Sequence, residues 1–296
     1  MADHYLHGTT GGATPLADLS DALKAFLTTT CGWTCIHDFT ATTGTTWQHR
    51  VYTTTAKAAA GCDYGVVVTA SDVVAPGIIM RVVGWWGASV HPWDITHTYG
   101  YDDAVAGHRT GTPGLYQAVS NNVTVKAGLA TDYWFFADDY RFIIITQIAG
   151  PAYPVGYAGF VDSGYPAATD PYPLLIKGSS GVASWQTEGS GCRMFDATPM
   201  AENYSAMNPT WNNNLAFMEG GAGVTVQPSK RTAPNTYEAI EPILATTGAA
   251  GAKPELRGVP RGVVRICNAI ASGTTLVLPN GKTYVVFDSH AYGPVV

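Results

Sequence analysis

The amino-acid sequence predicts a mainly β protein of the α+β class, with antiparallel sheets in a sandwich-like body, one N-terminal amphipathic helix and long irregular loops. Most of the chain consists of short runs rich in β-branched and aromatic residues, which favour strands. The 33 glycines and 18 prolines separate these runs and supply turns. Since the runs follow one another without a helical pattern between them, neighbouring strands are expected to pair antiparallel.

The helix is predicted close to the N-terminus. Thr14 stands at a capping position and Pro15 at the first helical position, where no backbone N–H is needed. Apolar residues then recur at helical spacing, at Leu16, Leu19, Leu23, Phe26 and Leu27. The opposite face carries Asp18, Asp21 and Lys24. We therefore expect this helix to lie on a sheet with one side in solvent.

Four strands are predicted after Gly32, over residues 33–39, 47–55, 64–70 and 78–83. The periodicity then disappears over residues 91–114, where His, Asp, Gly and Tyr accumulate. This composition is typical of a long surface loop.

A strongly apolar hairpin follows, with strands over residues 132–137 and 140–146 joined at Ala137-Asp138-Asp139. Alternation along the second strand places Phe142 and Ile144 on one face and Arg141 and Ile143 on the other. We expect this hairpin to form the centre of the core.

The remaining sequence divides the chain into three parts. Strands at 156–162 and 174–178 complete a helix-plus-β body over residues 1–178. Residues 179–234 are small, polar and aromatic without a clear period, which predicts an irregular, interface-forming excursion. Residues 235–296 return to the body with strands at 262–267, 274–278 and 282–287, the last two joined through the turn signal Pro279-Asn280-Gly281.

The charged fraction is the most informative number for function. Only 13% of residues are charged, about half the roughly 25% of an average globular domain. The chain also holds 16 Tyr and 8 Trp, which are enriched in protein–protein interfaces. This balance favours permanent assembly over the alternative, a secreted β-protein with a neutral surface. The predicted interface residues, all within the irregular segment, are Trp185, Phe195, Tyr204 and Trp211.

Composition also argues against several partners and compartments. The net charge is −6 and no basic stretch is longer than Ser229-Lys230-Arg231, so a nucleic-acid partner is not expected. No apolar run reaches the roughly 18 residues of a membrane span, and the first residues lack a secretory signal pattern. We expect synthesis in the cytoplasm and no membrane association. Five cysteines without paired CxxC units favour buried thiols. A Cys31–Cys35 bridge and a disulfide across a subunit boundary stay open as alternatives.

Motifs for chemistry are weak. His91, Asp94 and His97 could surround a divalent ion, but loop residues that cap turns give the same pattern, and no metal or cofactor is predicted. Asp138-Asp139 fits a hairpin turn better than a catalytic carboxylate pair. The glycine-flanked serines lack the surroundings of a nucleophile elbow. The sequence thus predicts a protein that is not an enzyme. Trp85-Trp86 leaves glycan binding as an alternative, because sugar rings pack on flat aromatic faces.

Four segments resemble structural proteins of tailed-bacteriophage virions. They are the run from Asp132 to Ile145, which contains Trp134-Phe-Phe-Ala-Asp138, then Tyr157-Ala-Gly-Phe160, the run from Asp170-Pro-Tyr-Pro173 to Gly178, and Leu256-Arg-Gly-Val-Pro-Arg-Gly262, which a short hairpin follows. Without that hairpin, the four segments comprise 34 of the 296 residues. The resemblance implies a virion protein of the neck, collar or tail and carries no catalytic residues.

The leading hypothesis is a subunit of a cyclic homo-oligomer that contacts itself and other virion proteins. A receptor- or glycan-binding module on the virion is the first alternative, and a secreted glycan-active enzyme is the second. An exposed aromatic groove would favour the first alternative, and paired carboxylates in a cleft would favour the second.

Overall fold

A computed structural model describes residues 3–42, 46–54, 64–71, 77–84, 98–99, 108–109, 117–119, 123–148, 150, 152–163, 174–178, 192–195, 215–217, 239–240, 244–246, 255–266, 270–288 and 290–295. These residues form mainly antiparallel β-sheets with one helical segment, which confirms the predicted fold class. Three larger sheets account for most of the structure, and the only parallel pair among the described strands is β6 (Thr98–Tyr99) with β7 (His108–Arg109).

The central sheet has nine strands. They are β1 (His4–Thr9), β10 (Asp132–Ala137), β11 (Arg141–Thr146), β12 (Val155–Ser163), β13 (Leu174–Gly178), β14 (Cys192–Phe195), β15 (Leu215–Phe217), β17 (Leu244–Thr246) and β18 (Glu255–Pro260). Their order is β1-β10-β11-β12-β18-β17-β15, and β13 branches from β12 and pairs with β14. The N-terminal strand β1 therefore lies at one end of this order and pairs with β10, from the middle of the chain.

Two further sheets flank the central one. The N-terminal sheet contains β2 (Thr34–Thr42), β3 (Thr46–Thr53), β4 (Tyr64–Ser71), β5 (Gly77–Gly84), β8 (Gln117–Val119) and β9 (Val123–Thr124). The C-terminal sheet contains β16 (Ala239–Ile240), β19 (Val263–Ile266), β20 (Thr275–Val277), β21 (Thr283–Phe287) and β22 (His290–Val295) in the order β16-β19-β22-β21-β20.

The β10–β11 hairpin is buried on both faces, because each face meets a different core. Phe135, Phe142 and Ile144 point into the first core, which they share with the helix and the N-terminal sheet. Ile143 and Ile145 point into the second core, which they share with Val263, Val285, Phe287 and Tyr292 of the C-terminal sheet. The hairpin thus belongs to the middle layer of three, and its predicted alternation is confirmed.

The helix α1 (Pro15–Ala25) continues into a single π-helical turn, Phe26–Thr30. Leu19, Leu23, Phe26 and Leu27 are buried in the first core, while Asp21 is exposed, as predicted. Thr14 stands at the N-terminus of the helix as predicted, but its side chain does not cap the backbone. Its carbonyl accepts the Asp18 N–H at 3.0 Å, but its hydroxyl donates to the Asp18 carboxylate rather than accepting from the backbone.

The predicted strands are found, with boundaries shifted by a few residues at most, and the structure adds eleven others, which are β1, β6–β9, β14–β18 and β22. Of these, β6 and β7 lie within residues 91–114, which were expected to be a loop. Two short strands, β14 and β15, lie within the segment 179–234 that was expected to be irregular. Most of that segment, and most of the expected loop 91–114, lies outside the described residues. None of the described helices is long and apolar enough to cross a membrane.

Candidate functional site

The predicted site residues fall largely outside the described part of the chain. His91, Asp94 and His97 lie outside it, as do Trp185, Tyr204 and Trp211. Phe195 is the last residue of β14, and its backbone pairs with Leu174. Among the described residues, no group of three or more His, Cys, Asp or Glu side chains could hold a metal ion.

The structure instead brings polar groups together at the turn of the central hairpin. Asp138 accepts the backbone N–H groups of Tyr140 and Arg141 at 2.6 and 3.0 Å, as an Asp in a tight turn does. The Asp138 carbonyl accepts the indole N–H of Trp33 at 2.8 Å, and the Asp139 carbonyl accepts the hydroxyl of Thr54 at 3.0 Å. Asp138 and Asp139 therefore shape and anchor a turn.

Arg141 is the most buried charge at this turn, with only 1% of its side chain exposed. Its guanidinium lies 3.4 Å from the Asp138 carboxylate and 3.9 Å from that of Asp3. One guanidinium N–H group donates to the Gly293 carbonyl of β22 at 2.9 Å. A single side chain of the middle layer thus links the turn, the N-terminal segment and the C-terminal sheet.

Two glycines allow other strands to approach this arginine. A Cβ at Gly159 would collide with the Arg141 Cα and the Tyr140 carbonyl, and its φ of +148° also favours glycine. A Cβ at Gly262, where φ is +70°, would collide with the Arg141 guanidinium and the Gly293 carbonyl. We refer to Asp138, Arg141, Gly159 and Gly262 as the arginine node.

Arg261 lies close to this node. Its guanidinium carbon is 4.4 Å from the centre of the Tyr140 ring, and its head group pairs with Asp162. The buried Tyr157 hydroxyl donates to the Phe160 carbonyl and accepts the Arg261 backbone N–H. Burial raises the pKa of Tyr157, so its hydroxyl stays protonated.

A second polar network joins the helix to the N-terminal sheet. The Arg50 guanidinium, 5% exposed, pairs with Asp21 of the helix and Asp38 of β2 and donates to the Ser20 hydroxyl. Lys24 pairs with Asp38 at 2.7 Å. Burial acts to raise the pKa of Asp38, but the hydrogen bonds from Lys24 and Arg50 outweigh it and hold that pKa below its usual value.

The possible disulfide bridge between Cys31 and Cys35 is not formed. Burial raises the pKa of Cys31 to about 12, which keeps it a protonated thiol. Its behaviour is that of a small hydrophobic residue in the first core.

The arginine node was not predicted from the sequence, although the sequence contains one signal for it. Arg141 is the only charged residue in an otherwise apolar strand, and a charge in that setting requires a partner. No family model and no curated protein matches this chain. The fold defines a layered β protein whose layers meet in two apolar cores, with the Arg50 ion pairs and the Arg141–Gly293 hydrogen bond as polar links between elements.

Proposed function

We propose that this protein is a structural subunit of a tailed-bacteriophage particle, located in the neck, collar or tail. It acts through protein–protein interfaces in a ring-like homo-oligomer and through contacts with other virion proteins. The proposal rests on the convergence of the phage-like motifs at the arginine node.

Three of the four motifs meet at Arg141 although they are far apart in sequence. The first contains Arg141 itself and Asp138, which pairs with the guanidinium. The second contains Gly159, which packs on the Arg141 backbone, and the fourth ends at Gly262, which packs on the guanidinium. The remaining motif ends in β13, the neighbour of β12. The motifs that carry the resemblance therefore lie together in one structural unit. Short motifs that are distant in sequence are expected to lie together if they reflect a shared fold.

Composition gives the second support. Only 13% of the residues are charged, while 11% are aromatic. A chain with few charges and many aromatic residues is typical of permanent interfaces.

Oligomeric state is the direct test of this proposal. Native mass spectrometry of the full chain should give a closed oligomer of fixed copy number. Trp185→Ala and Trp211→Ala should weaken that oligomer without lowering the melting temperature. Leu129→Ala is the matched control, because Leu129 is 62% exposed and lies on a loop outside the proposed interface. A chain that stays monomeric at high concentration would contradict the ring.

A further inference from the structure

The C-terminal sheet ends in an open edge at β20. Among the described strands, β20 pairs only with β21, so its other side has no partner there. Thr275 is exposed, and Val277 is 65% exposed, more than any other large apolar residue described. Leu276 between them turns inward and packs on an apolar cluster formed by the face of this sheet that points away from the central sheet.

The hydrogen-bond pattern shows which backbone groups the edge offers. The Leu278 N–H donates to the Lys282 carbonyl at 3.0 Å, and the Thr274 carbonyl accepts the Val286 N–H at 2.8 Å. Both residues therefore bond toward β21. Because successive residues of an antiparallel strand alternate in direction, Leu276 also bonds inward, while Thr275 and Val277 direct their N–H and C=O groups outward.

Apart from the short length of β20, which has three residues, this edge lacks the devices that usually block strand pairing. Besides being short, natural edge strands carry lysine, proline, bulges or inward-pointing charges. Residues 270–281 contain no charged side chain, and Pro279 follows the ladder rather than interrupting it. Thr275 and Val277, whose backbone N–H and C=O groups point out of the open edge, are both β-branched, which suits a paired strand.

Charge favours a second copy of the chain as the occupant. The net charge of −6 opposes most contacts between two copies, but a neutral segment of twelve residues brings no like charges together. The strand is also self-complementary. With a two-fold axis at Leu276, Thr275 of each copy faces Val277 of the other, which gives four backbone hydrogen bonds and one contact between the two Leu276 side chains.

We propose that β20 pairs with β20 of a second copy, antiparallel across a two-fold axis at Leu276. The C-terminal sheets of two subunits then form one continuous sheet. This contact is separate from the ring contact, because an isologous interface closes on itself while a ring uses two different surfaces. A strand pair of this length is far smaller than a standard interface of about 1,600 Å², so the isolated contact is weak.

Disulfide trapping tests the register. Opposite residues in a non-hydrogen-bonded antiparallel pair have Cα atoms about 4.5 Å apart, within the range that a disulfide spans. Leu276→Cys should therefore give a covalent dimer under mild oxidation, above the background of the unchanged chain. Thr274→Cys is the control, since its two copies would lie about 14 Å apart in this register. A Thr274 cross-link equal to that of Leu276 would overturn the register.

Sedimentation velocity tests the contact itself. The mass of the assembly formed by the unchanged protein should double as the protein concentration rises. Val277→Lys should abolish that doubling, because two like charges would face the partner edge, while Val277→Thr should retain it. Circular dichroism should give the same melting temperature for both variants. The proposal would be overturned if the doubling survived Val277→Lys or if the unchanged protein did not double. Loss of the ring in the Trp211→Ala variant would contradict only an intact ring contact and leaves the β20 pairing unaffected.

Discussion

Replacing Phe142 by alanine tests whether the central hairpin holds the three layers together. Phe142 is fully buried in the first core, and its ring meets that of Trp33 edge-to-face with centroids 5.6 Å apart. Trp33 in turn donates its indole N–H to the carbonyl of Asp138. The substitution removes a large side chain from between the layers and takes away the surface that orients Trp33.

The expected cost follows from the cavity. A buried Phe→Ala change typically lowers the free energy of unfolding by about 3–5 kcal/mol. Loss of the aromatic pair places Phe142→Ala in the upper part of that range, since such pairs contribute about 0.5–1.5 kcal/mol beyond the contribution of their buried area. At about 2 °C per kcal/mol for a chain of this size, the melting temperature should fall by roughly 8–10 °C.

Urea unfolding followed by tryptophan fluorescence and circular dichroism measures this difference. Leu129→Ala serves as the control and should change the free energy by about 0.5 kcal/mol or less, because Leu129 is mostly exposed. A Phe142→Ala variant whose unfolding midpoint equals that of the control would refute the placement of the hairpin at the core.

Three further predictions concern the polar groups. Arg141→Met should lower the free energy of unfolding by about 3–5 kcal/mol in urea titrations, because it leaves the Asp138 carboxylate buried without its cation; an unchanged midpoint would show that the node is dispensable. The lowered pKa of Asp38 means that its ion pairs stabilise the fold above the ordinary carboxyl pKa of about 3.9 and are lost as pH falls through the lower folded value. The stability difference between the unchanged chain and Asp38→Asn should therefore shrink below about pH 4, and a constant difference from pH 7 to pH 2 would contradict the ion pairing. Cys31→Ser should leave the number of thiols that react rapidly with a disulfide reagent at pH 8 unchanged, since a thiol whose pKa is about 12 is almost fully protonated there; loss of one fast thiol would contradict its burial.

Local pattern predicted the parts of the fold whose hydrophobicity is strongest. The β10–β11 hairpin was predictable because its alternating residues are apolar on both faces and its turn contains Asp138. The Pro279-Asn280-Gly281 turn was predictable for a similar reason. There the Gly281 N–H donates to the Leu278 carbonyl, and the Asn280 side chain accepts the Lys282 N–H.

The missed strands form because of partners that are distant in sequence. Residues His4–Thr9 contain two histidines and a glycine, and they become β1 by pairing with β10 more than 120 residues later. There His7 stands opposite Trp134, and the two rings stack with centroids 4.7 Å apart. β22 contains Gly293-Pro294, which opposes a strand locally, but β19 and β21 pair with it on both sides.

The arginine node shows the same limit for the candidate site. The charge at Arg141 was visible within an apolar run, but its bond to Gly293 spans 152 residues of sequence. No local pattern contains that pairing. The glycine requirements at Gly159 and Gly262 likewise depend on the position of the arginine rather than on their own neighbours.

A cryo-electron microscopy map of the assembled full chain tests the central proposal most directly. We expect a closed ring in which residues 179–234 lie between neighbouring subunits and each chain buries more than about 1,000 Å² against its neighbours. Isolated monomers, or a ring in which residues 179–234 face solvent throughout, would contradict it.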